Sequence, residues 1–199
     1  IKLINDIETP ITLSSEQAIL KAKAAYENAT QSVKSLVINS NLLDTYYNEY
    51  LRLKAEKELT DYKNTKKNQL KNSVNLNDYS SANQAKITDI INETLNLIDS
   101  STTTVEVDNN IKSATEKIAK IKTIAIEEKE LQDYRNQYIQ KIDDLIASYD
   151  VSDAVRKELN TYGDKFKKQI QNETSYSEIN YIYTRVVATL REYFENAEI

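Results

Sequence analysis

Apolar residues recur along this chain at spacings of three and four, the period of one face of an α-helix. Val107, Ile111, Ala114, Ile118 and Ile121 form one such stripe. Ile87, Ile90 or Ile91, Thr94 or Leu95, and Ile98 form a second. Val155, Leu159, Tyr162, Phe166 and Ile170 form a third, and Ile179, Tyr183, Val186, Leu190 and Phe194 a fourth. Between the stripes lie polar segments rich in helix-capping residues: Asn75–Ser81, Ser100–Thr104, Tyr149–Ser152 and Asn172–Ser175. Near the N-terminus, Ile1, Ile4 and Ile7 predict a short helix, and Pro10 lies in a loop. Ser14-x-x-Gln17 opens a helix to about Asn28, and Thr30 caps another to about Ile38.

An internal repeat organises these elements. Glu56-Lys-Glu-Leu-Thr-Asp-Tyr-Lys-Asn64 returns as Glu128-Lys-Glu-Leu-Gln-Asp-Tyr-Arg-Asn136, 72 positions on. At that same offset Thr103-x-x-Glu106 becomes Ser175-x-x-Glu178, both read as capping boxes, and Asp78 becomes Asp150. A period near 70 suits a three-helix module. The reading is an all-α, elongated chain of tandem three-helix-bundle modules at 1–54, 55–127 and 128–199. The segments Leu42–Ser73 and Val105–Tyr149 contain no Pro or Gly, so each is expected to be one unbroken helix shared by consecutive modules.

Composition narrows the chemistry. The chain has 199 residues, with one Gly, one Pro and no Cys, His, Met or Trp. A single Gly cannot supply the turns of a β-sandwich or a phosphate-binding loop. Without Cys or His there is no disulfide, thiol nucleophile, zinc-thiolate site or Ser-His-Asp triad. Net charge is −5, distributed as 0, −1 and −4 over the three modules, which disfavours a nucleic-acid partner. No run of about 18 apolar residues exists, so no membrane insertion is expected. The chain opens on Ile1 and reads as a monomeric piece of a longer protein.

A resemblance enters on particular residues. Ile4-x-x-Ile7, Ile11-Thr-Leu-Ser-Ser-Glu-Gln-Ala-Ile19, Ala22-x-x-Ala25-Tyr26 and Thr30-x-x-x-Lys34-x-Leu36-Val37 resemble a small helical repeat of Gram-positive surface proteins. Leu59-x-x-Tyr62, Asn77-Asp78-Tyr79 and Thr103-Thr-Val-Glu-Val107 resemble the three-helix FIVAR modules, with 128–199 as a divergent copy. The resemblance implies an extracellular, secreted or wall-attached setting, as a spacer or binding appendage without catalytic residues. Its partners would be a host protein or a glycan.

Candidate sites are few. Asp143 and Asp144 are adjacent on a helix, point about 100° apart and do not converge. Asn75-x-Asn77-x-Tyr79 lacks the Gly and Glu that a calcium loop requires at its sixth and twelfth positions, where Ser80 and Lys86 stand. The expectation is therefore no catalytic residue, no cofactor and no metal. Aromatic residues remain: ten of the sixteen Tyr and Phe lie in 128–199. Tyr138, Tyr176 and Tyr181 fall off the drawn seams, so they read either as ordinary surface tyrosines or as a partner-binding patch. The cluster Tyr46, Tyr47 and Tyr50 reads as inter-helix packing. Gly163, inside a helical stripe, reads as a close helix approach or a kink.

Overall fold

The computed structural model describes residues 1–195. Among them every regular element is helical. The α-helices are α1 (Lys2–Asn5), α2 (Glu16–Glu27), α3 (Gln31–Lys34), α4 (Ser40–Asn72), α5 (Ser81–Ser100), α6 (Thr104–Ala119), α7 (Ile124–Ala147), α8 (Asp153–Asn172) and α9 (Tyr176–Glu195). The chain divides into two compact units. The first comprises Ile1–Asn75 and Ala85–Lys120, the second Leu76–Gln84 and the chain from Ile121 onward.

In the first unit α4 is unbroken over 33 residues, a length of about 50 Å at 1.5 Å per residue. Its N-terminal half packs against α1 and α2 around Ile4, Ile7, Ile19, Ala22, Leu43 and Tyr50. Its C-terminal half packs against α6 and is tied to the end of α5 by Lys63 Nζ donating to Asp99 O (3.0 Å) and Lys67 Nζ to Asp99 Oδ1 (2.7 Å). Between the halves, the side chains of Lys54 through Glu58 are all exposed. The backbone ladder carries this span, helped by the pairs Arg52–Glu49 (2.7 Å), Arg52–Glu56 (3.0 Å) and Lys57–Asp61 (2.6 Å). The Arg52 guanidinium holds the Glu49 carboxyl below its usual range. The expectation of one long helix over 42–73, shared by two sets of partner helices, describes α4.

Tyr46, Tyr47 and Tyr50 are packing residues of the N-terminal core, and Lys23 Nζ lies 4.1 Å from the centre of the Tyr47 ring. Tyr50 is buried. The hydrogen bond to the Glu16 carboxylate, reinforced by burial, pushes the phenol up to about 12. An unfolded tyrosine ionises near 10. Its contribution to stability should therefore be complete below about pH 10 and disappear as pH rises through about 12, because the unfolded chain releases the proton first. Urea titrations between pH 8 and 12 should show this fall, and Tyr50→Phe should reduce its steepness.

The second helix expected to run unbroken, 105–149, does not. It is interrupted at Lys120–Thr123, between α6 and α7. Thr123 is the reason: it is extended, and its hydroxyl accepts from Ile126 N, an N-cap that restarts the helix. Absence of Gly and Pro was not sufficient, because β-branched Ile121, Thr123, Ile124 and Ile126 weaken the helix locally. The positions 72 residues earlier in α4 are Glu49, Leu51, Arg52 and Lys54, all better helix formers.

The second unit is a three-helix packing of α7, α8 and α9. Its core holds Tyr138, Ile142, Ile146, Leu159, Ile170, Ile179, Val186 and Leu190. The 72-residue offset governs structure as well as sequence. Residues 81–100 of α5 become 153–172 of α8, and the start of α6 at Thr104 becomes that of α9 at Tyr176. Buried residues correspond in pairs: Leu70/Ile142, Ile87/Leu159, Ile98/Ile170, Val107/Ile179, Ala114/Val186 and Ile118/Leu190. The capping boxes are only half as drawn. Thr103 and Ser175 accept from Glu106 N and Glu178 N. Glu106, however, reaches Thr102 N (2.7 Å), and Glu173, not Glu178, receives the Thr174 and Ser175 N–H groups.

Candidate functional site

Four tyrosines of the second unit, Tyr134, Tyr138, Tyr176 and Tyr183, form a row between α7 and α9. Tyr134 and Tyr138 are four residues apart on α7, so they share a face. Tyr176 and Tyr183 are seven apart on α9, so they share the facing one. The Ser175 and Glu173 caps fix the first turn of α9 and with it the Tyr176 ring. Ring centroids lie 4.8 Å apart for Tyr176–Tyr134, 4.7 Å for Tyr134–Tyr138 and 5.4 Å for Tyr138–Tyr183. The hydroxyls continue the chain: Tyr134 OH donates to Tyr138 OH (3.2 Å), which donates to Asn180 Oδ1 (3.0 Å). That hydroxyl contact, with burial adding to it, raises the Tyr134 phenol above its ordinary value. Lys141 Nζ sits over the Tyr138 ring at 4.3 Å.

The three tyrosines marked as a possible partner-binding patch are not one patch. Tyr138 is a core residue, 8% exposed. Tyr176 and Tyr181 are 46% and 55% exposed, but five helical residues separate them by about 140° around α9. Tyr181 instead faces Arg185, whose guanidinium lies 5.7 Å from the ring centre. The repeat explains why Tyr138 fell off the seam: its counterpart is Lys66, and that of Asn180 is Asp108. The first unit places an ion pair there, Lys66–Asp108 at 3.7 Å, with Tyr62 OH donating to Asp108 (2.5 Å). The second replaces the pair with a phenol–amide hydrogen bond, which removes two charges and lets the ring turn inward.

Beside Tyr176 an open groove of about 550 Å³ is lined by Lys122, Glu127, Glu128, Glu130, Leu131 and Tyr176. Lys122 pairs with Glu130 (2.6 Å). Glu127 accepts from the amide of Asn83, which also donates to Lys122 O (3.0 Å each). Asn83 is buried, and sequence reasoning passed over it because a polar residue within a helical stripe carries no signal of its distant partner. Replacing it by Leu should lower the stability of the second unit by about 1 to 2 kcal/mol, the net worth of the two hydrogen bonds its amide donates. Urea unfolding followed by circular dichroism would measure this.

Asp143 and Asp144 diverge. Asp143 pairs with Lys167 (2.6 Å), while Asp144 accepts from Gln140 (2.9 Å). Among the described residues no group of three acidic side chains is placed to hold a metal ion, and no helix is long and apolar enough to cross a membrane. Two arginines, also unforeseen, close helix ends: Arg156 donates to Ile146 O and Tyr149 O after α7, and Arg135 Nε to Glu173 O (2.8 Å) after α8. Arg135 is the counterpart of Lys63, which does the same for α5. This could have been read from the repeat, since both positions are basic.

Comparison with family models, with curated proteins and with solved structures finds no match.

Proposed function

We propose that the chain is a non-catalytic helical spacer, an accessory segment of a large bacterial surface or secreted protein, built from FIVAR-like modules. Its work is geometric: a stiff helix fixes the separation of the groups at its two ends. The observation that carries the reading is α4, one helix whose halves belong to different sets of partners and whose middle is exposed and laced with i,i+3 and i,i+4 ion pairs. The motifs Ile11–Ile19 and Thr103–Val107 support the surface-protein setting by resemblance. A second reading, binding of a host protein, is favoured by the exposed Tyr176 and Tyr181 rings, which would act as separate contacts.

The absence of Cys makes the test clean. Spin labels at Asp44→Cys and Gln69→Cys, both exposed and on one face of α4, should give a single narrow distance near 38 Å. Replacing Lys54 and Ala55 by Gly should broaden it. A broad distribution in the chain with its natural Lys54 and Ala55 would show a joint where a strut is proposed.

A further inference from the structure

We propose that Tyr134 and Tyr176 form an oxidative cross-linking site, at which a haem peroxidase with hydrogen peroxide couples their ortho ring carbons into a dityrosine that staples α7 to α9. The rings meet edge to face, 4.8 Å between centroids and 61° between planes. Tyr176 is 46% exposed, so an oxidant reaches it. Tyr138 and Tyr183 extend the row behind Tyr134 at 4.7 and 5.4 Å. An electron vacancy formed anywhere in the row has a short path back to the coupling pair. Each phenol loses one electron and its hydroxyl proton. The two phenoxyl radicals join through their ortho carbons. Those carbons then shed their hydrogens as protons while the oxygens regain theirs, and aromaticity returns. The net loss of two electrons and two protons reduces one hydrogen peroxide to two waters.

Exposure alone points elsewhere. Tyr193 and Tyr181 are more accessible, at 67% and 55%, but the ring beside Tyr193 is Phe194 and the group over Tyr181 is Arg185. Neither offers a second phenol. In the first unit the counterparts of the pair are Tyr62 and Thr104, which cannot couple. The test is peroxidase and hydrogen peroxide added to the full chain at low concentration, then trypsin and tandem mass spectrometry. The expected product joins the peptide 130–135 to the peptide 169–185 through Tyr176, two hydrogens lighter than their sum. Blue dityrosine fluorescence should fall at least fivefold in both Tyr134→Phe and Tyr176→Phe, which keep the rings, and persist in Tyr181→Phe. Cross-links chiefly between chains, cross-links through Tyr181 or Tyr193, or undiminished fluorescence in Tyr176→Phe would overturn the proposal.

Discussion

Ile142→Ala is expected to destabilise the second unit by about 4 kcal/mol, toward the upper end for a buried Ile-to-Ala change. Ile142 is fully buried among the residues of α7, α8 and α9. Removing three carbons loses about 2.4 kcal/mol of transfer free energy at about 0.8 per methylene. The remainder depends on whether neighbours collapse into the space. Across the α7–α8 contact stands Gly163, whose missing Cβ would lie 3.4 Å from Ile142 Cγ2. Glycine has no side chain to move inward, so most of the cavity persists. Small domains are stable by only about 5–15 kcal/mol, so such a loss should appear as a large shift of the urea midpoint with little change in slope.

Gly163→Leu is expected to cost about 3 kcal/mol by the opposite route, overpacking. Gly163 lies inside α8 with an ordinary helical backbone; no glycine of the chain has positive φ. It is there for closeness, which decides between the two sequence readings. A Cβ would come within 2.5 Å of Ile146 Cδ1. That atom ends a flexible side chain, so Gly163→Ala should come out within about 1 kcal/mol of neutral, the gain in helix propensity offsetting the repacking of Ile146. Leucine adds three more carbons and must part the helices. Pairing Gly163→Ala with Ile146→Val should be more stable than the sum of the single changes predicts, since the two sites touch.

These two changes mark what the pattern of residues could and could not reveal. The duplicated core was legible because burial follows the hydrophobic period: Ile98 and Ile170, or Val107 and Ile179, stand at the same phase of their stripes and are buried alike. Gly163 was legible as a question, but its answer lies on α7, since its counterpart is Ile91 and the space is filled by Ile146. The break at Lys120–Thr123 was missed because a threonine in a run of apolar and basic residues gives no warning without its cap geometry. Tyr138 was misplaced because an aromatic ring off the seam can turn inward once a partner such as Asn180 receives its hydroxyl. Asn83 and Arg156 act through carbonyls distant in sequence, to which a hydrophobic period is blind.

The two junctions differ: one helix runs through residues 51–57, and another stops before residues 120–123. Backbone hydrogen exchange reads both in a single experiment. In α4 the amides of Leu51–Lys57 lie inside the helical ladder although their side chains are mostly exposed. Those of Ile121–Ala125 flank a helix start, where the first N–H groups lack an intrahelical acceptor. The predicted result is protection of the first segment exceeding that of the second by roughly a hundredfold. Equal protection at the two places, whether both slow or both fast, would contradict it.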